Sequence, residues 1–290
     1  MTPAVRSYRE QFIVKPGAKV RLVKIAADFH GRHESHKKAQ ADIGRALEKI
    51  DRLQLRMYAE HRHSLLIVLQ GLDAAGKDGI VRHVFSGMNP QGCRVAAFKQ
   101  PTPEEHDRDF LWRVHPNVPA RGQVAIFNRS HYEDVLIARV HGLVPEEVWS
   151  RRYDLINAFE RTLAEDNGTT VLKFFLHISA AEQLARFEQR LDDPGRNWKI
   201  SESDYAERKF WPAYRTAFED VFRLTSTRHA PWFVIPSDRK WFSRLAISEI
   251  IVDAMERMEI KLPRPTVDLE DIRRKFHSAL RHRKRLSEDD

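Results

Sequence analysis

An apolar run, Leu65-Leu66-Ile67-Val68-Leu69, leads through Gln70 directly into Gly71-Leu72-Asp73-Ala74-Ala75-Gly76-Lys77. An unbroken short apolar run ending in glycine suits a strand buried on both faces, the kind found in parallel sheets. The residues after it read Gly-x-x-x-x-Gly-Lys, a phosphate-loop pattern. At an average glycine frequency of roughly 7%, chance alone supplies that string in about one chain of this length in ten. Its setting carries more weight, because it ends an apolar strand and opens an amphipathic stretch with Ile80, Val81 and Val84. Glycines let backbone N–H groups turn toward a phosphate. The helix N-terminus adds partial positive charge, and Lys77 adds a full one. Gly71, Ala74, Ala75, Gly76, Lys77 and Asp78 are therefore candidate phosphate-binding residues, with Lys77 the candidate catalytic cation.

The hydroxyl residue that usually follows the lysine, and ligates Mg²⁺, is Asp78 here. Another residue must then hold the metal. Asp73 is the candidate, since an acid inside a phosphate loop repels its ligand unless a cation lies between them. Asp78 is read as a cap for the following helix.

Four further short apolar runs recur, at Arg94–Phe98, Val124–Phe127, Val171–Ile178 and Trp232–Ile235. Helical patterning fills about 37–60, 77–86, 103–115, 132–141, 146–166, 180–191, 203–225 and 239–258. Strands alternating with helices predict an α/β domain, a mostly parallel five-stranded sheet covered on both faces. Residues 1–36 read as an arm packed on the body, 37–262 as the main domain and 263–290 as a highly charged tail, a solvated helix with a frayed end. The segment 190–225 is longer than a crossover needs and reads as a lid. Cys93, the single cysteine, reads as packing and excludes an intramolecular disulfide.

The formal charge is +8 and the pI about 9.6, which favours an anionic partner. Nucleic acid, an anionic membrane and a polyanionic small substrate all satisfy charge alone. No run approaches the roughly 18 apolar residues of a membrane span. The first residues lack the apolar core of a secretory signal, so reducing cytoplasm is the expected compartment.

Ligands of open parallel sheets bind at the carboxyl ends of strands. The run Val124–Phe127 ends there in Asn128-Arg129-Ser130-His131-Tyr132-Glu133-Asp134. Asn128 can accept a metal or a bound water through its amide oxygen, and Arg129 offers paired donors to phosphate oxygens. Glu133 and Asp134 can bind metal or orient arginines, and an ordinary structural role fits them equally well.

The strings GLDAAGKDG (71–79), SGMNPQGCRV (86–95), FNRSHYEDVL (127–136), KFFLHIS (173–179), RLDDPGRNWK (190–199) and APWFVIPSD (230–238), in this order, resemble the second family of polyphosphate kinases. The resemblance spans about residues 40 to 260. Asn128 where aspartate is usual, and His131 where tryptophan is usual, are similar to the class III branch, described as phosphorylating both nucleoside mono- and diphosphates. The resemblance implies a thymidylate-kinase-like P-loop kinase fold with a helical lid. It also implies inorganic polyphosphate as donor, AMP and ADP as acceptors, and Mg²⁺ as cofactor. Asp73 matches the metal-binding loop acid, with Asn128 the candidate second metal ligand. Lys77 matches the catalytic lysine, and Arg129 the arginine after the third strand. Arg190, Arg196 and Lys199 match the basic lid cluster. Asn89, Asn128, Arg129 and Glu133 are the candidate nucleotide-binding residues. A homo-oligomer, dimer or tetramer, is the expected assembly. An ATP-dependent nucleoside monophosphate kinase is the alternative, because the phosphate loop serves either donor.

Residue chemistry agrees with a polyanionic donor. Polyphosphate has no base or sugar to grip, so it needs a track of cations, for which Lys77, Lys99, Arg129, Arg190, Arg196 and Lys199 are available. Asp192-Asp193-Pro194-Gly195 is a strong helix breaker and is expected to fold Arg190 back beside Arg196 and Lys199. Trp198 reads as a packing anchor for the lid. No nucleic-acid-binding module is recognised, so nucleic acid is not the expected partner.

Overall fold

The structure, a computed structural model, describes residues 7–286, with side chains through Leu280. The start of the arm and the end of the charged tail, with its Arg281 to Arg285 cluster of side chains, lie outside the described residues. Five strands form one fully parallel sheet: β1 (Ser64–Gln70), β2 (Cys93–Ala97), β3 (Val124–Asn128), β4 (Thr169–His177) and β5 (Trp232–Pro236), in the spatial order β2-β3-β1-β4-β5.

The period-two alternation of a strand sorts each apolar run into two core layers. Leu65, Ile67 and Leu69 of β1, Ile126 of β3 and Phe174 of β4 pack on one face. Helices His36–Glu60, Lys77–Val84 and Lys240–Glu256 cover that face with residues such as Ile50, Ile80 and Leu245. Leu66, Val68, Phe127 and Phe175 face the other way, onto helices Glu146–Glu165 and Trp211–Thr225 through Ile156, Phe159, Phe218 and Phe222. This is a three-layer α/β/α architecture, as the alternation of strands and helices predicts. No helix among the described residues is long and apolar enough to cross a membrane.

The arm belongs to the core. Ile13 pairs antiparallel with Phe233, and Val14 N–H donates to Trp232 O at 2.8 Å, covering the otherwise open edge at β5. Phe12 and Phe29 meet the buried Phe242 ring at 5.9 and 5.6 Å. Cys93 is half-buried at the start of edge strand β2, and burial pushes its thiol up to about 11.

Three expected helices are interrupted. Over 103–115 only Pro103–His106 is helical, because the Asp109 side chain accepts from Leu111 N–H at 3.0 Å and competes with the helix ladder. The 132–141 helix divides into a 3-10 turn, His131–Val135, and a short helix, Ile137–Val140, around the non-helical Leu136. Pro212 has no N–H to donate, and the 203–225 stretch restarts at Trp211. Within 190–225, the helix Trp211–Thr225 has a buried inner face, so the exposed excursion is confined to about 190–210.

Lys173 is a charge in the middle of β4, pointing with Val171 and Phe175 into the second layer and fully buried. Its Nζ donates to Glu160 Oε2 at 2.6 Å, Thr225 O at 2.7 Å and Tyr132 Oη at 2.9 Å, while Tyr132 Oη donates to Glu160 Oε1 at 2.9 Å. Burial works to raise the Glu160 pKa, yet Lys173 and His131 outweigh it and hold the carboxyl below its ordinary value. A depressed carboxyl pKa contributes stability above the ordinary glutamate range, and that contribution is lost as pH falls through the depressed value. Lys173→Met leaves a buried carboxylate without its counter-ion and is expected to lower unfolding free energy by roughly 3–5 kcal/mol in urea titration. The Lys173→Met/Glu160→Gln pair should recover part of that loss. A single-variant loss below about 1 kcal/mol would show that the ion pair is not what holds this layer.

Candidate active site

The carboxyl ends of β1, β2 and β3 open into a cleft of about 860 Å³, lined among others by Gly71, Asp73, Lys99, Arg129, Glu133 and Tyr214. The phosphate loop forms its floor between β1 and the helix Lys77–Val84. Gly71 has φ +155°, and a Cβ there would stand 3.0 Å from Leu176 O, so only glycine lets the loop pass this close to β4. Gly76, at φ +112°, turns the chain into the helix. Lys77 is buried and donates from Nζ to Gly71 O at 2.6 Å and Leu72 O at 3.3 Å. Burial, then the nearby Arg129 guanidinium, lowers its pKa.

A second charged group stands at the end of β3. Arg129 Nη2 donates to Asp73 Oδ1 at 3.1 Å, and Arg129 itself has a positive φ of 62°. Burial opposes its charge, but Glu133 and Asp73 more than offset this and raise its pKa. The carboxyl of Glu133 is raised, by burial first, with Asp73 adding to the shift against the pull of Arg129 and Lys77. Two acids thus share this corner with two cations.

Asp78 does not cap its helix. Its carboxylate accepts from Asn128 Nδ2 at 2.9 Å and from Lys199 Nζ at 3.3 Å, tying β3 and the 190–210 excursion to the phosphate loop. The breaker turns the chain as expected, but the three side chains go to different partners, with Lys199 on Asp78 and Arg196 on Asp193. The helix Ala180–Asp192 ends there, and Arg190 Nη1 reaches back to Lys199 O at 3.2 Å. Arg196 pairs with Asp193 at 2.9 Å. Trp198 is not a packing anchor: it is 74% exposed, with its Nε1 donating to Gly195 O at 3.1 Å and the Lys199 ammonium 5.0 Å from its ring centre.

Asn89 is not brought to the site. It caps the turn that begins β2, accepting from Gln91 N–H at 3.0 Å, and its backbone N–H donates to Gln54 Oε1 at 3.2 Å. That is the amino end of a parallel sheet, opposite the cleft. His131 is fully buried, with its Nε2 3.3 Å from Glu160 Oε1, and belongs to the core. Asp134 is held against Arg152, whose Nη1 donates to its backbone O at 2.9 Å.

Sequence reading overlooked Arg186 and Gln183. Arg186 Nη1 donates to Ala74 O at 2.8 Å and Ala75 O at 3.1 Å, and Nη2 to Ser237 O at 2.5 Å and Asp238 O at 2.9 Å. One guanidinium thereby holds two of the loop's carbonyls away from the cleft, while Ala75 N–H is taken by Leu72 O at 3.1 Å. Gln183 Nε2 donates to Asp73 O at 2.9 Å, and its Oε1 accepts from Arg208 Nη1 at 2.6 Å. A signal existed, since 183, 186, 187 and 190 share one face of their helix and polar residues on an inward face need partners.

The Polyphosphate kinase 2 (PPK2) family matches residues 33–263. The chain is similar to an AMP/ADP-polyphosphate phosphotransferase of Meiothermus ruber, 46% identical over 91% of this chain and 98% of that protein. It is also similar to an ADP-polyphosphate phosphotransferase of Rhodopseudomonas palustris, 41% identical over 89% of this chain and 93% of the relative. Among solved structures, polyphosphate kinase 2 from Arthrobacter aurescens TC1 superimposes with a TM-score of 0.90 at 39% identity, covering 94% of this chain and 98% of that one.

The Arg186 geometry makes a sharp prediction. Arg186→Lys keeps the charge but cannot span four carbonyls. Turnover is expected to fall about 10²-fold, the scale of a misplaced reacting group, with circular dichroism unchanged. A variant within a few-fold of wild type would show that the loop keeps its shape without the clamp.

Proposed function

The chain belongs to the polyphosphate kinase 2 family and is a phosphotransferase, and on that premise we propose that it transfers the terminal phosphoryl group of inorganic polyphosphate to AMP and ADP, with Mg²⁺ as its metal. The observation that carries this reading is the corner where Lys77, Arg129, Asp73 and Glu133 meet at the phosphate loop, with Lys199 tied to Asp78 from the excursion at 190–210 and Arg190 bonded to the Lys199 carbonyl. Convergent cations beside a loop at a helix N-terminus suit a donor that offers only phosphate oxygens.

A terminal phosphate oxygen of the acceptor attacks the end phosphorus of the donor. The bond from that phosphorus to the bridging oxygen breaks, and the chain leaves one unit shorter. The attacking oxygen is already anionic, so no strong base is required. Lys77 and Arg129 neutralise charge on the transferring group, and the loop positions it. The 190–210 excursion acts as a lid that excludes water, which otherwise competes as acceptor.

The acids present fit a divalent cation. Asp73 and Glu133 are close enough for one to raise the other's pKa, and a hard cation between carboxylates and phosphates relieves that repulsion. Asp73 and Glu133 would hold Mg²⁺, with Asn128 Oδ1 as a neutral third donor, its Nδ2 being engaged by Asp78. When bound, the ion neutralises phosphate charge and orients the donor.

Incubation with polyphosphate and AMP, without ATP, should yield ADP and then ATP. An absolute requirement for ATP as donor would sink the reading in favour of an ordinary nucleotide kinase. Lys77→Ala should lose roughly 10²–10³ in rate while remaining folded, and retention of more than about a tenth would contradict its role. Asp73→Asn should raise the Mg²⁺ concentration for half-maximal rate, and should weaken Mn²⁺ binding measured directly by electron paramagnetic resonance. An unchanged metal dependence would give Asp73 a different task.

A further inference from the structure

Positive charge continues past the excursion onto elements that the reaction above does not use. The helix Lys240–Glu256 begins just after the Ser237-Asp238 turn whose carbonyls Arg186 grips. Lys240 and Arg244 lie one turn apart on it, hence on one face. This helix packs on the phosphate-loop helix, whose last turn carries Arg82 and His83. Arg186, Arg196 and Arg244 all lie near enough to act on Lys240, and Arg244 and Arg82 both act on His83, so the charge continues from the loop clamp onto the two helices.

The acids nearest this run are already committed. Glu182 pairs with Arg186 at 2.7 Å, Asp193 with Arg196 at 2.9 Å, and Asp238 Oδ1 accepts from Ser179 N–H at 2.8 Å. Among the described residues, no carboxylate lies within 4.0 Å of Lys240, Arg244 or Arg82. The cations act on one another instead. Lys240 is held below its ordinary value by burial first, then by Arg186, with Arg196 and Arg244 adding to the shift against Glu182. His83 is lowered by burial, then by Arg244 and Arg82. Lys240 also stands in the first turn of its helix, where the backbone dipole disfavours a cation. A cation at the unfavourable end of a helix, with like charges around it and no carboxylate within 4.0 Å, is relieved by an external anion. Because these charges run from the phosphate loop across two helices, the anion they suit is extended.

We propose that Lys240 and Arg244, with Arg82 beyond them, bind the distal, non-reacting units of the polyphosphate donor, so that affinity depends on donor length. This rests on the polyphosphate reading above. A short donor ends near Arg196 and leaves these residues untouched, whereas a long donor engages them all.

The test compares tripolyphosphate with long-chain polyphosphate at saturating AMP. The Michaelis constant is measured for each donor, with an inhibition constant standing in for a donor that is not turned over. Each exposed ion pair is worth up to about fivefold in binding, so Lys240→Ala/Arg244→Ala should raise the long-chain constant about five- to tenfold. The ratio of long-chain to tripolyphosphate constants should rise by nearly as much, and the difference should shrink at high salt. Lys240→Ala alone, at an exposed position, should give a smaller shift of the same kind. Equal changes with both donors, or no change with either, overturn the inference while the function stands. A wild-type enzyme that neither uses nor binds either donor overturns the polyphosphate reading, and this inference with it.

Discussion

A buried ammonium organises the half of the molecule that carries the second part of the site. Lys173 joins β4 to Glu160 of the helix 146–165, to Thr225 at the end of the helix 211–225, and to Tyr132 after β3. Removing two charges from water costs several kcal/mol each, recovered only where every donor and acceptor is met. Lys173 Nζ has three acceptors, so the ammonium itself is satisfied. The consequence for function is geometric. Tyr132 is pinned three residues beyond Arg129, and the strained turn that delivers Arg129 to Asp73 has a fixed support. Where the chain adopts an unfavourable backbone conformation, the surrounding packing over-determines it.

The phosphate loop is supported from the opposite side by Arg186. An anion-binding loop works only if its carbonyl oxygens face away from the ligand, and those oxygens then need donors of their own. Arg186 supplies two of those bonds, to Ala74 O and Ala75 O, while its other nitrogen is fixed by Ser237 O and Asp238 O, and Gln183 supplies a third to Asp73 O. Gln183 also accepts from Arg208, so the loop aspartate is linked through two hydrogen bonds to the excursion above it. Lys199, held by Asp78, makes a second link. A shift of the excursion therefore acts on the floor of the cleft through bonds.

Much of the site was legible because its signals are local. The loop pattern, the apolar strand before it and the breaker at 192–195 each act within a few residues, and each produced the local geometry that its residues predict. The errors share a different cause. Asn89 sits in a run typical of the resemblance, yet it lies at the amino end of β2, and a short polar string does not reveal which end of a strand it occupies. Asp78 and Trp198 were read from their immediate neighbours, a helix start and a basic segment. Asp78 instead pairs with residues 50 and 121 positions away, and Trp198 lies open to solvent.

The amino-acid sequence by itself determined the alternation of strands and helices, the two-faced burial of every strand but the exposed edge strand β2, and a glycine-bounded loop closed by a lysine. These follow from period and from local backbone preference, which neighbouring residues set. The tertiary structure alone decided how the charges are partnered. Lys173 meets Glu160 in the apolar layer, Arg186 meets carbonyls as far as 112 positions away, and Asp78 holds Asn128 and Lys199. An ionisable side chain reads the same in a sequence whether it is solvated, paired or buried. Its role depends on what the sheet order brings within about 3 Å of it, the range over which a hydrogen bond forms.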